Sequence, residues 1–593
     1  MTWVLPVVVL LSALAALAWW VSRWEQATVL GHLNAIAPDG DVERYTAAFH
    51  ARIQGNFRFM AGAFIVMAVL LAAMRKRIGE AMTPAASGAW GRFRADLREV
   101  RERYAKRTSF AHKRSVLLLI LAGAALRAWL MPAAITYDEA FTWTYYASRP
   151  LHVILSDLSY PNNHILHTLL VKLFTTVLGV GTISLRLPAF LAGVAVMPLF
   201  YLFVRATFNR YIALMALAMV AASGPLIEYG ALARGYTLTW LALMAALLLG
   251  RHFVKENNPA SALLLALVLA LGLWTTPVMV YQAAFVYVWI GLQLAMRYRT
   301  TLDGRLRALV LSMLLCAGLT VLAYLPGLLT YGAGHVLRPG VTPEDTREAF
   351  RQMPAEHAYA LYAYIMETSW KWLAIAGSVA ILAAGYFSAR YRMLLAALAL
   401  GAIPLVLAQG VVAPPRAWLY ILFFLHLGVA IGLFYLLKWT QEKLLTSMGK
   451  RVRAAGASVV LLVLGAWPAL GVLPDRIERY PEARLAAAYL REALEPGDRV
   501  YTMFPWEAPI EFHAKAMGIP RSVFHQPPEA AGIRFVAASP ADRQHWKRVL
   551  AHHKVDTLVW SQAEMVKDWP RLEIFAARQA ENPVPGAPET GAE

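Results

Sequence analysis

Ser115-Val-Leu-Leu-Leu-Ile-Leu-Ala-Gly-Ala-Ala-Leu-Arg-Ala-Trp-Leu-Met131 is the stretch on which the reading of this chain turns. It is an apolar run close to the ~20 residues that carry a helix across a bilayer. Ahead of it lies the densest basic segment of the sequence, with Arg75, Lys76, Arg77, Arg92, Arg94, Arg98, Arg101, Arg103, Lys106, Arg107, Lys113 and Arg114. Short loops rich in Lys and Arg stay in the cytoplasm. The run therefore emerges on the outer face, and everything from Pro132 to about Arg186 is external.

The remaining spans follow outward from this one. Apolar runs at 187–204, 211–226, 238–250, 262–274, 278–296, 309–329, 372–387, 393–410, 418–437 and 457–472 alternate in direction. Each turn assigned to the inside is basic: Arg205 with Arg210, Arg251 with Lys255, Arg297 through Arg307, Arg390 with Arg392, and Lys438 through Arg453. Two runs precede the basic segment, the first being an uncleaved span over 1–21. The total is about thirteen spans by the ~20-residue criterion. One apolar segment, 165–180, must be left out, because counting it would reverse every later loop. Lys172 and the flanking Gly179 and Gly181 make it a helix lying in the outer interface.

The expected fold is an all-α polytopic membrane protein with external loop helices and a small C-terminal α/β domain. Residues 1–114 form a two-span hairpin with a basic cytoplasmic linker, and 115–473 a transmembrane domain carrying the external loop 132–186. Residues 474–581 form an external α/β domain, with a helix over 484–495 and strands over 499–504 and 556–560. The Pro- and Gly-rich tail 582–593 is expected to be disordered.

Composition agrees. Of the 593 residues, 59% are hydrophobic and 16% charged, against roughly 45–50% and about 25% in soluble proteins. The formal charge of +19 sits between apolar runs rather than on a face that could follow a nucleic acid, which excludes nucleic acid as a partner. The lone cysteine, Cys316, permits no intrachain disulfide.

The external loop carries the chemistry. It reads Ile135-Thr-Tyr-Asp-Glu-Ala-Phe-Thr-Trp143, then Ser159-Tyr-Pro-Asn-Asn-His-Ile-Leu-His167, then Ser184-Leu-Arg-Leu-Pro188. Sugar transfer from a polyprenyl phosphate to a hydroxyl requires a carboxylate that takes the hydroxyl proton as the bond forms. It also requires a cation at the membrane surface for the lipid phosphate that leaves, a role that suits the arginine fork. Asp138 and Arg234 meet that description. Arg186 and Arg416 are further external arginines. The bland alternatives are a solvated acid at a helix start and arginines that snorkel. Trp143, Tyr145 and Tyr146 read as an interfacial aromatic belt, and Glu228 as structural. His164 and His167, three residues apart, would suit a divalent metal together with Glu139 or Asp157. No third ligand at a diagnostic spacing accompanies them, so the reading without a metal is preferred and no cofactor is assigned.

In order and sidedness these motifs resemble the GT-C superfamily of membrane glycosyltransferases, especially the branch with protein O-mannosyltransferases and the lipid A aminoarabinose transferase. The resemblance rests on Asp138-Glu139, Asn163-His164, Arg186-Leu187-Pro188, and Gly224-Pro225-Leu226 followed by Arg234. It implies an inverting transfer with Asp138 as general base. Glu139, Asn163, His164, Arg186, Arg234, Tyr236 and Arg416 would then bind substrate. The donor would be a polyprenyl-phosphate sugar, and the acceptor a hydroxyl of a glycolipid, glycan or protein, at the external face of a bacterial inner membrane. The sequence departs from the commoner His-Pro-Pro-Leu at His164-Ile-Leu-His167. A transporter or flippase of lipid-linked sugar, or a non-catalytic binder of it, is the rival reading. Transporters show internal repeats and midplane charges, whereas the conspicuous acids here lie at the interface.

Overall fold

The computed structural model describes all residues except 1–3, 37–44, 87, 299–301, 333–346, 368–370, 411, 444–448, 526–532, 556–562 and 578–593. The expected strand over 556–560 and tail over 582–593 lie outside the described residues. The rest is an α-helical membrane protein with a small four-stranded C-terminal sheet.

Eight described helices are long and apolar enough to cross a membrane, and up to ten if two bent pairs each count as one span. The expectation of about thirteen differs by three shorter apolar helices, Leu5–Val21, Pro259–Thr275 and Ile375–Phe387. Seventeen residues from Pro259 to Thr275 give roughly 26 Å at 1.5 Å per residue, short of a ~30 Å hydrocarbon core. These three nonetheless occupy positions that the sequence reading assigns to spans.

Helix ends are capped where the sequence turns. The Asn209 side chain accepts from the N–H groups of Tyr211 (2.8 Å) and Ile212 (2.9 Å). Asn258 accepts from Ala260 (2.9 Å), with Pro259 opening the helix, and Ser388 accepts from Tyr391. Such groups satisfy donors that a helix start leaves bare. The basic linker is itself ordered: the helix Ala89–Arg107 meets Phe110–Leu130 at 109°. It is tied down by Asn258 donating to the Ala89 carbonyl (3.2 Å) and by Asp96 facing His252 Nε2 at 3.1 Å.

Arg127, the one charge in the Ser115–Met131 run, is 2% exposed. The helix Arg210–Ala222 breaks by 59° into Gly224–Ala231, because Pro225 has no N–H for the Ala221 carbonyl. Arg127 Nη1 donates to that carbonyl (3.2 Å) and to Gly123 (2.8 Å). A buried arginine thus serves the acceptor that a proline leaves free.

Ile165–Leu178 runs from the loop that carries Asp138 into Thr182–Thr207. Its Lys172 donates to the carbonyls of Ala147 (3.2 Å) and Arg149 (2.7 Å), tying the helix to the loop before it. The far end of the chain bears on its membrane disposition. Tyr137 donates to Glu507 (2.7 Å), so both lie on one face and the chain between them crosses an even number of times. Besides Ile165–Leu178, the described apolar helices in that interval are Thr182–Thr207, the Arg210–Ala231 pair, Tyr236–Glu256, Pro259–Thr275, Pro277–Arg297, Leu302–Tyr331, Ile375–Phe387, Ala389–Gln409, Ile421–Trp439 and the one opening at Arg451. Their number is even, and Ile165–Leu178 as a span would make it odd.

The last apolar helix continues unbroken from Lys450 to Ile477 and leads into the C-terminal region. There β1 (Arg499–Tyr501), β2 (Arg534–Ala538), β3 (Glu564–Trp569) and β4 (Leu572–Ala577) stand in the order β1-β2-β4-β3. Only β1 and β2 run parallel. The helix Glu482–Ala493 buries Ala483, Ala486, Ala487 and Leu490 with Val500, Trp506 and Ile510, matching the expected helix over 484–495. Sequence reading found β1 but not β2, β3 or β4.

Candidate active site

Thr136 starts the short helix Tyr137–Thr142 through a capping box with Glu139. That places Asp138 and Glu139 on the first turn but sends them in different directions. Glu139 is 1% exposed. Its two oxygens meet Arg186 Nε (2.8 Å) and Nη2 (2.7 Å), the Ala233 N–H (2.6 Å) and Thr136. Arg186 spends its other donors on the carbonyls of Leu130, Met131, Ala133 and Ala134. Burial pushes the Glu139 carboxyl up, but Arg186 and these hydrogen bonds outweigh it and hold it below the ordinary carboxylate range. Every oxygen and guanidinium nitrogen of this pair has a protein partner, so the pair is closed to ligand.

Asp138 is open, with its side chain 34% accessible. One oxygen accepts from Asn162 (3.2 Å). The other faces Arg234 Nη2 at 3.5 Å and Arg416 Nη1 at 3.7 Å. Burial raises its pKa, yet Arg234, Arg416 and the Asn162 bond together leave it below the ordinary value. Two cations against one carboxylate leave the site with surplus positive charge. Both separations exceed the ~2.7–2.9 Å of a charge-assisted hydrogen bond. Arg234 is only 3% exposed, and its Nε and Nη1 have no partner; neither does Arg416 Nε. Buried donors without acceptors are costly, and an anion is the group that suits them.

His164 orders the arginine turn. Its Nδ1 accepts from the Gly235 N–H (2.9 Å) and its ring meets Tyr236 edge-on at 5.1 Å. Burial first, then Arg234, holds its pKa well below the usual histidine value, so it is neutral. A Cβ on Gly235 would come within 2.7 Å of both His164 Nδ1 and Thr275 Cγ2, so this close approach requires glycine. The guanidinium of Arg234 lies 6.0 Å from the Tyr236 ring centroid.

Asn163 donates to the carbonyls of Ile154 and Asp157 (both 2.8 Å) and shapes the loop. Its neighbour Asn162, which sequence reasoning did not single out, is the asparagine that touches Asp138. Nothing in the pair Asn162-Asn163 distinguishes them until the turn is built. His167 is fully buried with neither ring nitrogen partnered, and Asp157 is engaged by Ser159 and Tyr331. Among the described residues no group of three or more His, Cys, Asp or Glu converges on a metal position. Glu228 accepts from Arg476 (3.1 Å) and from Tyr364, as befits a structural acid.

The C-terminal helix Glu507–Ala516 covers the loop. Besides Tyr137 with Glu507, Phe512 meets Trp143 edge-on at 5.2 Å and Lys515 donates to Ser148 (2.8 Å). Trp143 and Tyr146 are 5% and 1% exposed. They are therefore not the interfacial belt expected from sequence: the C-terminal helix, distant in sequence, packs on Trp143, and Tyr146 lies against Phe141 of the loop itself.

Three comparisons bear on this architecture. A family model described as dolichyl-phosphate-mannose-protein mannosyltransferase matches residues 162–325. The crystal structure of ArnT from Cupriavidus metallidurans bound to undecaprenyl phosphate superposes with a TM-score of 0.50 at 12% identity, covering 78% of this chain and 97% of that one. Its apo form gives 0.49 at 11%, covering 79% and 98%. The archaeal oligosaccharyltransferase AglB from Archaeoglobus fulgidus, in complex with an inhibitory peptide and a dolichol-phosphate, gives 0.40 at 12%, covering 72% and 61%. No curated protein matches by sequence. The chain shares the fold of the ArnT structure bound to undecaprenyl phosphate.

Proposed function

We propose that this GT-C-fold membrane protein is an inverting glycosyltransferase that moves a sugar from a polyprenyl-phosphate donor to a hydroxyl acceptor on the outer membrane face. The observation that carries the reading is Asp138 beside two arginines whose buried donors lack acceptors. A lipid phosphate supplies those acceptors. Undecaprenyl phosphate is the ligand named for the similarly folded ArnT structure, which supports the same donor class here.

In the reaction the acceptor oxygen attacks the anomeric carbon, and its proton passes to Asp138. The bond between that carbon and the phosphate oxygen breaks, and the polyprenyl phosphate leaves with the electron pair. Arg234 and Arg416 hold the added negative charge. Before the donor binds, these arginines keep Asp138 ionised but weakly basic. A phosphate that takes over their charge frees the carboxylate, so donor binding itself raises the basicity of the catalytic group. Glu139 and Arg186 position the loop, His164 and Gly235 hold the Arg234 turn, and Asn162 orients Asp138. The outer-face assignment rests on the distribution of Lys and Arg.

The test is turnover of radiolabelled polyprenyl-phosphate sugars by purified wild type and Asp138→Asn in bilayers with native acceptors. Release of free polyprenyl phosphate by the wild type and its loss in the variant are expected. Unchanged release by Asp138→Asn would overturn the assignment of the base, and donor binding with no turnover in either protein would favour a binder or transporter.

A further inference from the structure

The opposite end of the bundle holds a second concentration of positive charge. Thr182–Thr207, Tyr236–Glu256, Val280–Arg297 and the start of Ala389–Gln409 come together there. Between them lies a cavity of about 130 Å³ lined in part by Thr207, Arg251, Gln293, Arg297 and Arg390, far more than the ~10–15 Å³ that a cavity needs to hold one water. Among the described residues, no Asp or Glu lines it. Arg390 Nη1 donates to the Thr207 carbonyl (2.7 Å), which anchors it at the last turn of Thr182–Thr207. Arg251 and Arg297 form no ion pair with a described carboxylate.

Arginines at this end of a membrane bundle are ordinarily expected to extend along the surface toward lipid headgroups. Two buried polar groups distinguish this cavity from that arrangement. Gln293 is 4% exposed and its Nε2 has no partner; Thr207 is 7% exposed and its Oγ1 has none. An amide donor, a hydroxyl and three guanidinium groups around one space, with no acid among them, match the several acceptor oxygens of a phosphate.

We propose that this cavity is a second anion site, which takes a phosphate group at the end of the protein away from Asp138. The phosphate belongs either to the headgroup of an anionic phospholipid or to a soluble phosphate. In both cases the anion relieves the mutual repulsion of Arg251, Arg297 and Arg390 and pins four helices to one another.

The test is thermal unfolding of the full chain with two probes. One is inorganic phosphate in neutral detergent, titrated against chloride at constant ionic strength. The other is phosphatidylglycerol in phosphatidylcholine nanodiscs. Wild type, Arg251→Gln, Gln293→Leu and Arg234→Gln are compared, the last to subtract phosphate bound beside Asp138. Stabilisation should persist in Arg234→Gln. The concentration that gives half of it should rise at least about tenfold in Arg251→Gln and Gln293→Leu, as expected when a charge-assisted bond is lost. A shift with inorganic phosphate assigns a soluble ligand, and a shift with phosphatidylglycerol alone assigns a lipid headgroup. If Arg251→Gln and Gln293→Leu, both folded, respond to both probes as the wild type does, the proposal is wrong. The same holds if the entire response disappears in Arg234→Gln. Neither result bears on the role of Asp138.

Discussion

Replacing Arg234 with Gln should separate binding from stability. In the unliganded protein the Nε and Nη1 of this 3%-exposed side chain have no acceptor, and its Nη2 stands 3.5 Å from Asp138. A phosphate supplies acceptors for both open donors. One charge-assisted hydrogen bond is worth about 1.5–3 kcal/mol. Because two bonds on one group are not additive, about 3 kcal/mol is a reasonable total, which is roughly a 150-fold loss in donor affinity. Arg234→Lys keeps the charge without the fork and should lose about tenfold. Without a ligand the same orphaned donors cost about 1–3 kcal/mol each, so Arg234→Gln should unfold no earlier than wild type. The assay is equilibrium binding of a radiolabelled polyprenyl phosphate in nanodiscs, with thermal unfolding of the same preparations without ligand. Wild-type affinity in Arg234→Gln would refute the reasoning. A lower unfolding temperature without ligand would show that Arg234 is a structural cation.

Further consequences follow from the geometry. The depressed pKa of Asp138 means that its ionic contribution is in place above an ordinary ~3.9 and is lost only as pH falls through the lower folded-state value. The acid limb of kcat/KM should therefore lie below ~3.9, and that of kcat, where phosphate shares the arginines, at higher pH. Both can be read from one pH–rate series. Arg186→Ala leaves Glu139 buried and uncompensated, which costs about 3–5 kcal/mol; adding Glu139→Gln should recover part of this in thermal unfolding. Gly235→Ala drives a methyl into His164 and Thr275, an overpacking cost of about 1–3 kcal/mol, with a larger fall in turnover than in unfolding temperature. Sidedness can be tested by cysteine labelling at Tyr160 and Arg103, both exposed. The native Cys316 is buried and should stay silent; position 160 should react only from outside and position 103 only from inside.

The helices were legible because lipid imposes one rule on every span, and the basic turns order the spans in sequence. Asp138, Arg234 and Arg416 were legible for a related reason: an acid beside a membrane surface and arginines at the ends where they are disfavoured both stand out locally. The closed character of Glu139 and Arg186 was not, because it depends on four carbonyls of the Leu130–Ala134 turn and on the Ala233 N–H, none of which has a side-chain signature. The choice of Asn162 over Asn163 is set by the turn into Ile165–Leu178. The strands β2, β3 and β4 lack a clear alternation: β2 is buried at every position, as a short helical segment would also be, and β3 is exposed at most of its positions.

The loop that carries Asp138 and the helix that lies over it are made at very different times. Tyr137 and Glu507 are 370 residues apart, which at ~5–20 residues per second is roughly 20–70 s of synthesis. During that interval the acid and its arginines are inserted one after another while Trp143 and Phe512 have yet to meet. The loop is covered only once the segment bearing Glu507–Ala516 has been made, so a chain released before it would carry Tyr137 without Glu507 and Trp143 without Phe512. The helix Glu507–Ala516 is thus a late-arriving cover: the loop packs fully only after that segment has been made, and quality control that senses exposed Trp143 would distinguish the two.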